Sequence, residues 1–219
     1  MALCLFTHPF SSYSQKALIA LYENDTPFTP RVLGPDDPSA SGDLERLWPL
    51  KKFPVLTDGE RTVIEATSII EYLDRTYPGP TRLIPEEFDA ALDARTMDRV
   101  FDNYVMTPMQ TFVVDAIRPA ETRDPHGVVA ARGLLDAAYG WLDGVMAARE
   151  WAAGGAFTLA DCAAAPSLFY ADWVHPIDPG HGHLRAYRAR LLARPSVARC
   201  VEEARPYRHL FPPGAPDRD

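Results

Sequence analysis

Apolar positions follow two regimes along the chain: strand-length runs interleaved with helical spacing up to about residue 76, and helical spacing alone beyond about residue 85. Residues 2–6 form an apolar run ended by Thr7-His8-Pro9, and residues 14–23 set Ala17, Leu18, Ala20 and Leu21 at helical spacing. Residues 27–33 predict a second strand, parallel to the first because a helical crossover separates them. A polar stretch rich in proline and aspartate, G-P-D-D-P-S-A-S-G, follows as a loop able to move and close over a ligand. Residues 43–48 then predict a short second helix. Val55-Leu56 and Val63-Ile64 flank Asp58-Gly59, a hairpin signal for two antiparallel strands turning at that dipeptide. Pro54 opens the first of these strands, a position where a missing N–H is tolerated, and its peptide bond is expected to be cis. Ser68 and Glu71 have capping-box spacing and Ile69, Tyr72 and Leu73 give an apolar face, so a helix begins near residue 66.

Strand, helix, strand, helix, strand, strand, helix is the thioredoxin-like order, an α/β arrangement assigned to residues 1–77. Prolines and a glycine stop the last helix, making 78–85 a linker. Residues 86–219 predict an all-helical C-terminal domain, with helices at 86–117, 125–149, 158–173, 181–193 and 195–205. Pro108 should bend the first of these near Thr107. Thr158 and Asp161 have capping-box spacing, a structural role.

Composition narrows the function. A chain of 219 residues with 47% hydrophobic content buries enough surface to fold without a metal or disulfide. A net charge of −8 argues against a nucleic-acid protein working through a general basic surface. The lysines are Lys16, Lys51 and Lys52, all in the first quarter. Cys4, Cys162 and Cys200 have no C-x-x-C or zinc spacing and fit small hydrophobes in a reducing compartment. No apolar run approaches a membrane span, and the N-terminus lacks the charged region of a secretory leader, so a cytoplasmic protein with no membrane partner is expected.

The chemistry then falls to the loop after the first strand, H-P-F-S-S-Y-S-Q-K. In this fold that loop meets the N-terminus of the first helix, where unpaired amides and the helix dipole favour an anion. Ser11 and Ser14 occupy the C-x-x-C positions, so there is no dithiol and disulfide exchange there is excluded. A serine hydroxyl can instead donate to a thiolate carried by a ligand. With a free thiol pKa of ~8.5 only about 3% is thiolate at pH 7; lowering it to ~6.5 gives about 75% for ~2.7 kcal/mol. Ser11 is equally suited, by residue type alone, to cap the helix.

Lys52, Pro54, Leu56, Glu65, Ile69, Tyr72 and Leu73 match K-x-P-x-L, a D-G hairpin and E-S-x-x-I-x-x-Y-L, and the chain resembles the glutathione transferase family along nearly its whole length. S-S-Y-S-Q-K-A-L-I-A-L and T-P-M-Q-T-F (107–112) resemble its serine-type members, the zeta class above all. The resemblance implies glutathione as co-substrate, Ser11 as the catalytic group, and a glutathione site at Phe10, Lys52, Phe53, Glu65, Ala66 and Thr67. It also implies a small hydrophobic electrophile in a pocket formed by Tyr13, Met106, Met109 and Phe112, a detoxifying role, and a homodimer. No metal and no nucleic acid is implied. Two departures stand out: Ala66 where the family has serine, and Tyr13 where the zeta class has cysteine. Ala66 removes a hydroxyl contact to the γ-glutamyl carboxylate, so Ala66→Ser should tighten glutathione roughly tenfold unless another group fills that place. A zeta-like cis/trans isomerase and a non-catalytic scaffold of the same fold are the alternatives; a thiol oxidoreductase would need cysteine at residue 11.

Overall fold

The structure, a computed structural model, describes residues 3–219. Four strands, β1 (Leu3–Thr7), β2 (Phe28–Val32), β3 (Val55–Asp58) and β4 (Arg61–Ile64), form one sheet in the order β2-β1-β3-β4. β1 and β2 are parallel, pairing Leu3 with Phe28 through Thr7 with Val32, as the intervening crossover requires. β3 runs antiparallel to β1, and β4 to β3. Helices α1 (Ser12–Glu23), α2 (Pro38–Leu47) and α3 (Ala66–Thr76) complete a thioredoxin-like domain. An all-helical domain follows, with α4 (Phe88–Val100), α5 (Thr107–Ile117), α6 (Pro125–Met146), α7 (Leu159–Val174), α8 (Gly182–Ala193) and α9 (Pro195–Ala204).

Three local expectations change. The hairpin turns at Gly59-Glu60, one residue later than expected: Asp58 still pairs with Arg61, and Gly59 takes the positive φ of 59° that a tight turn needs. Half of the expected loop at 34–42 is helical, because Asp37 caps α2 by accepting from the Ala40 amide and Pro38 fits the first turn, where its missing N–H costs nothing. Ser68 and Glu71 do not form a capping box. The cap of α3 is Glu65, which makes no side-chain capping bond, and Glu71 instead pairs with Arg95 at 2.7 Å.

Pro108 has its effect one turn early. Its lack of an N–H removes the donor for the Tyr104 carbonyl, and the ladder widens into a π-helical turn at Phe101–Met106, closed by Thr107 donating N–H and hydroxyl to the Asp102 carbonyl. The Phe53–Pro54 peptide bond is cis.

The main apolar core runs from Leu3, Leu5 and Leu56 of the sheet through α1 and α3 into α7, α8 and Phe211, and a smaller cluster joins Phe6 and Val55 of the sheet to Leu44 of α2. α7 is its centre: every residue from Leu159 to Trp173 is buried, and its alanines let α1 and the α4–α5 segment approach closely. Thr158 and Asp161 form the expected capping box, and Asp161 also accepts from the Ala152 amide and the Tyr187 hydroxyl. Among the described residues no helix is long and apolar enough to cross a membrane.

Candidate functional site

Ser11 is the N-cap of α1, its Oγ accepting from the Ser14 amide at 3.3 Å while its own O–H has no acceptor among the described residues. A capping serine in this state keeps a proton to give to a ligand. The loop leading to it is held from the other domain. Tyr170 of α7 donates to the Phe10 carbonyl at 3.0 Å, and Gln15 donates to both the Pro9 carbonyl and the Tyr170 hydroxyl. Phe10 packs edge-on against Tyr170 and Phe211. Burial lowers the His8 pKa, in keeping with its Nδ1 accepting from the Phe10 amide at 3.2 Å.

Two cavities meet at this loop, sharing Tyr13 and Gln110 as a common wall. One, about 340 Å³, is the more polar of the two and lies between the Lys52–Pro54 segment, the start of α3 at Glu65 and Ala66, and Arg99, Asp102 and Asn103. The other, about 210 Å³, is mainly apolar and carries Ser11 with Phe10, Met109, Val113, Tyr170 and Phe211. Burial, with Asp102 adding to it, pushes the Tyr13 phenol up to about 12, so it stays a neutral donor at the junction. A larger groove, about 700 Å³, runs between α3 and α4 past Arg61, Tyr72 and Arg95; it holds none of the catalytic, glutathione-site or electrophile-pocket residues that the resemblance implies.

Glu65 sits at φ 68°, a conformation that non-glycine residues seldom adopt, and it leaves the first amides of α3 uncapped beside the polar cavity. Beneath this helix start lies an ionic cluster. Lys16, 1% exposed, reaches Asp98 at 2.5 Å and Asp102 at 2.8 Å and donates to the Thr67 hydroxyl at 2.9 Å. Arg99 closes the cluster from the cavity side, bonding the same two aspartates and Thr67. Burial raises the Asp102 pKa, more than the nearby Lys16 lowers it.

Lys52, Phe53, Glu65 and Ala66 therefore line the polar cavity together with Tyr13. The Thr67 hydroxyl is taken up by the cluster instead, and Phe10 belongs to the apolar cavity. Met109 and Tyr13 line that cavity, whereas Met106 and Phe112 are packed into the core and do not reach it. Trp48, Arg99, Asn103 and Tyr170 carry no motif that would mark them in the sequence, whereas Gln110 belongs to T-P-M-Q-T-F, the stretch that resembles the zeta class. Asp98 and Asp102, four apart between apolar Met97, Phe101 and Val105, give a further readable signal: two carboxylates on a buried helical face need a buried cation.

Models described as Glutathione S-transferase, N-terminal domain and Glutathione S-transferase, C-terminal domain match residues 5–81 and 86–190. The chain belongs to the glutathione S-transferase family. A probable maleylacetoacetate isomerase of Vibrio cholerae is 27% identical to this chain over 94% of its length and 98% of the relative's. The crystal structure of a Methylobacterium radiotolerans glutathione S-transferase in complex with glutathione sulfonate is 27% identical, with a TM-score of 0.78 over 92% of this chain and 95% of that one. A glutathione S-transferase of Methylobacillus flagellatus with GSH bound superposes with a TM-score of 0.81 at 22% identity, covering 91% and 98%.

Proposed function

We propose that this chain binds glutathione in the polar cavity and uses Ser11 to hold the thiolate against a small hydrophobic electrophile in the apolar one. The observation that carries the reading is the common wall of the two cavities, with an uncommitted Ser11 hydroxyl at the helix N-terminus beside it. Glutathione and its sulfonate in the two bacterial relatives support it. In this reading the uncapped amides of Ala66 and Thr67 receive the γ-glutamyl end with Glu65, and the Phe53 backbone and Lys52 receive the rest of the tripeptide. Tyr13 and Met109 face the electrophile. Conjugation forms a bond from sulfur to the electrophilic carbon while the leaving group departs with its electron pair. The Vibrio relative favours a second reading, glutathione-dependent cis/trans isomerisation at the same thiolate. Division at a 78–85 linker, a cytoplasmic site and a homodimer, which would sediment as two chains at micromolar concentration, complete the proposal.

Ser11→Ala tests it. The bound thiol's pKa should rise, read by thiolate ultraviolet absorbance, and turnover of an aromatic halide should fall at neutral pH with little change in glutathione affinity. The deficit should shrink as pH rises, because above the variant's thiol pKa both proteins hold thiolate. Identical thiol pKa and rates in the two proteins would remove Ser11 from the mechanism. Turnover of maleylacetoacetate but of no halide would select the isomerase.

A further inference from the structure

The free end of a γ-glutamyl group is a zwitterion, and the polar cavity offers it an asymmetric set of charges. Glu65 and Asp102 are acidic, Lys52 and Arg99 basic, and residue 66 is an alanine with no polar atom beyond its backbone. Arg99 is placed unlike Lys52. Its Nη2 donates to the hydroxyl of Thr67, the residue next to Ala66, so the guanidinium stands within one residue of the position that lacks a side-chain donor. Nε and Nη2 are committed to Asp98, Asp102 and Thr67, whereas Nη1 has no hydrogen-bond partner among the described residues. The side chain is half exposed and lines the cavity.

Lys16 makes that arrangement possible. Asp98 and Asp102 would otherwise draw on Arg99 alone; the buried ammonium pairs with both, so the cluster of two cations and two anions balances without consuming the outer nitrogen. The guanidinium is fixed at two nitrogens and open at the third, and guanidinium is the group best matched to a carboxylate.

We infer that Arg99 is the side-chain anchor for the α-carboxylate of the ligand's γ-glutamyl group, in place of a hydroxyl at residue 66. The inference rests on the proposed binding of glutathione in this cavity. It makes Arg99 a specificity-determining residue: ligands without that carboxylate gain nothing from it.

Calorimetry with glutathione and with γ-aminobutyryl-cysteinyl-glycine, the same tripeptide lacking the α-carboxylate, tests this on the full chain. Arg99→Gln should weaken glutathione roughly tenfold or more while changing the truncated ligand by less than about twofold. Arg99→Lys, which keeps the charge facing Asp98 and Asp102, should give an intermediate loss for glutathione and again none for the truncated ligand. Equal losses for both ligands would mean that Arg99 acts only through the cluster, overturning the inference and leaving the glutathione reading intact. Equal affinity of the wild type for the two ligands would overturn it in the same way. A folded wild type that binds neither would overturn the glutathione reading and this inference with it.

Discussion

Ala66 is 5% exposed at the start of α3, against the polar cavity, and a methyl group there offers a ligand carboxylate nothing. From the sequence alone, restoring a hydroxyl should tighten glutathione roughly tenfold; Arg99 changes that expectation. With the guanidinium in place, Ala66→Ser should improve affinity by less than about threefold, and in the Arg99→Gln background by the full factor of about ten. A calorimetric double-mutant cycle checks this: additive effects would mean that the two positions serve different atoms of the ligand. The missing partner was hidden because a cavity wall is a tertiary fact. Ser11, Lys52, Phe53, Glu65 and Ala66 lie in two compact motifs and were legible as cavity residues, whereas Arg99 comes from a distant helix with no signature of its own and Asp102 shows there only as one of two carboxylates on an apolar face.

Elements were legible where one period dominates. The parallel pairing of β1 and β2, the antiparallel hairpin and most helices of the second domain follow from apolar spacing. What escaped were one-residue choices made by turn and cap chemistry: the turn at Gly59-Glu60, the early start of α2 on Asp37, and the π-turn before Pro108. A contact between elements also carries pH dependence. Glu23, at the end of α1, pairs with Arg194, accepts from Ser196 at the start of α9, and accepts from Thr81 between α3 and α4. Burial works to raise its pKa, but the bonds from Arg194, Ser196 and Thr81 outweigh it and hold the carboxyl below its ordinary value of 4.5. A depressed folded pKa gives stability that is present above the unfolded value and lost as pH falls through the folded one. Glu23→Gln should therefore cost about 1–3 kcal/mol at pH 7, and the gap to wild type should narrow as pH drops below 4.5. Urea midpoints at pH 7 and pH 3.5 measure it; a gap unchanged with pH would leave the charge of Glu23 without effect.

At the scale of the whole molecule, the boundary seen in composition near residue 80 is not a boundary in the core. Sheet, α1 and α7 share one apolar cluster, and Lys16 of the first domain finds its counter-ions, Asp98 and Asp102, in the second. Separating the domains would break both ion pairs and expose the apolar surface that the two domains share. The chain should therefore unfold as one unit. Along a urea titration, acylation of Lys16 should appear at the same midpoint as the loss of far-ultraviolet dichroism; earlier modification would reveal domains that part before they melt.

The burial of Lys16 leaves Lys51 and Lys52 as the only lysines an acylating reagent can reach in the folded protein. They are adjacent, and only the second lines the polar cavity, the first reaching out to Glu45. Within one short peptide the protein thus carries both a probe and its internal standard. The ratio of label on Lys52 to label on Lys51, read by mass spectrometry, becomes a gauge of how full the cavity is, with no need for turnover or for a known second substrate.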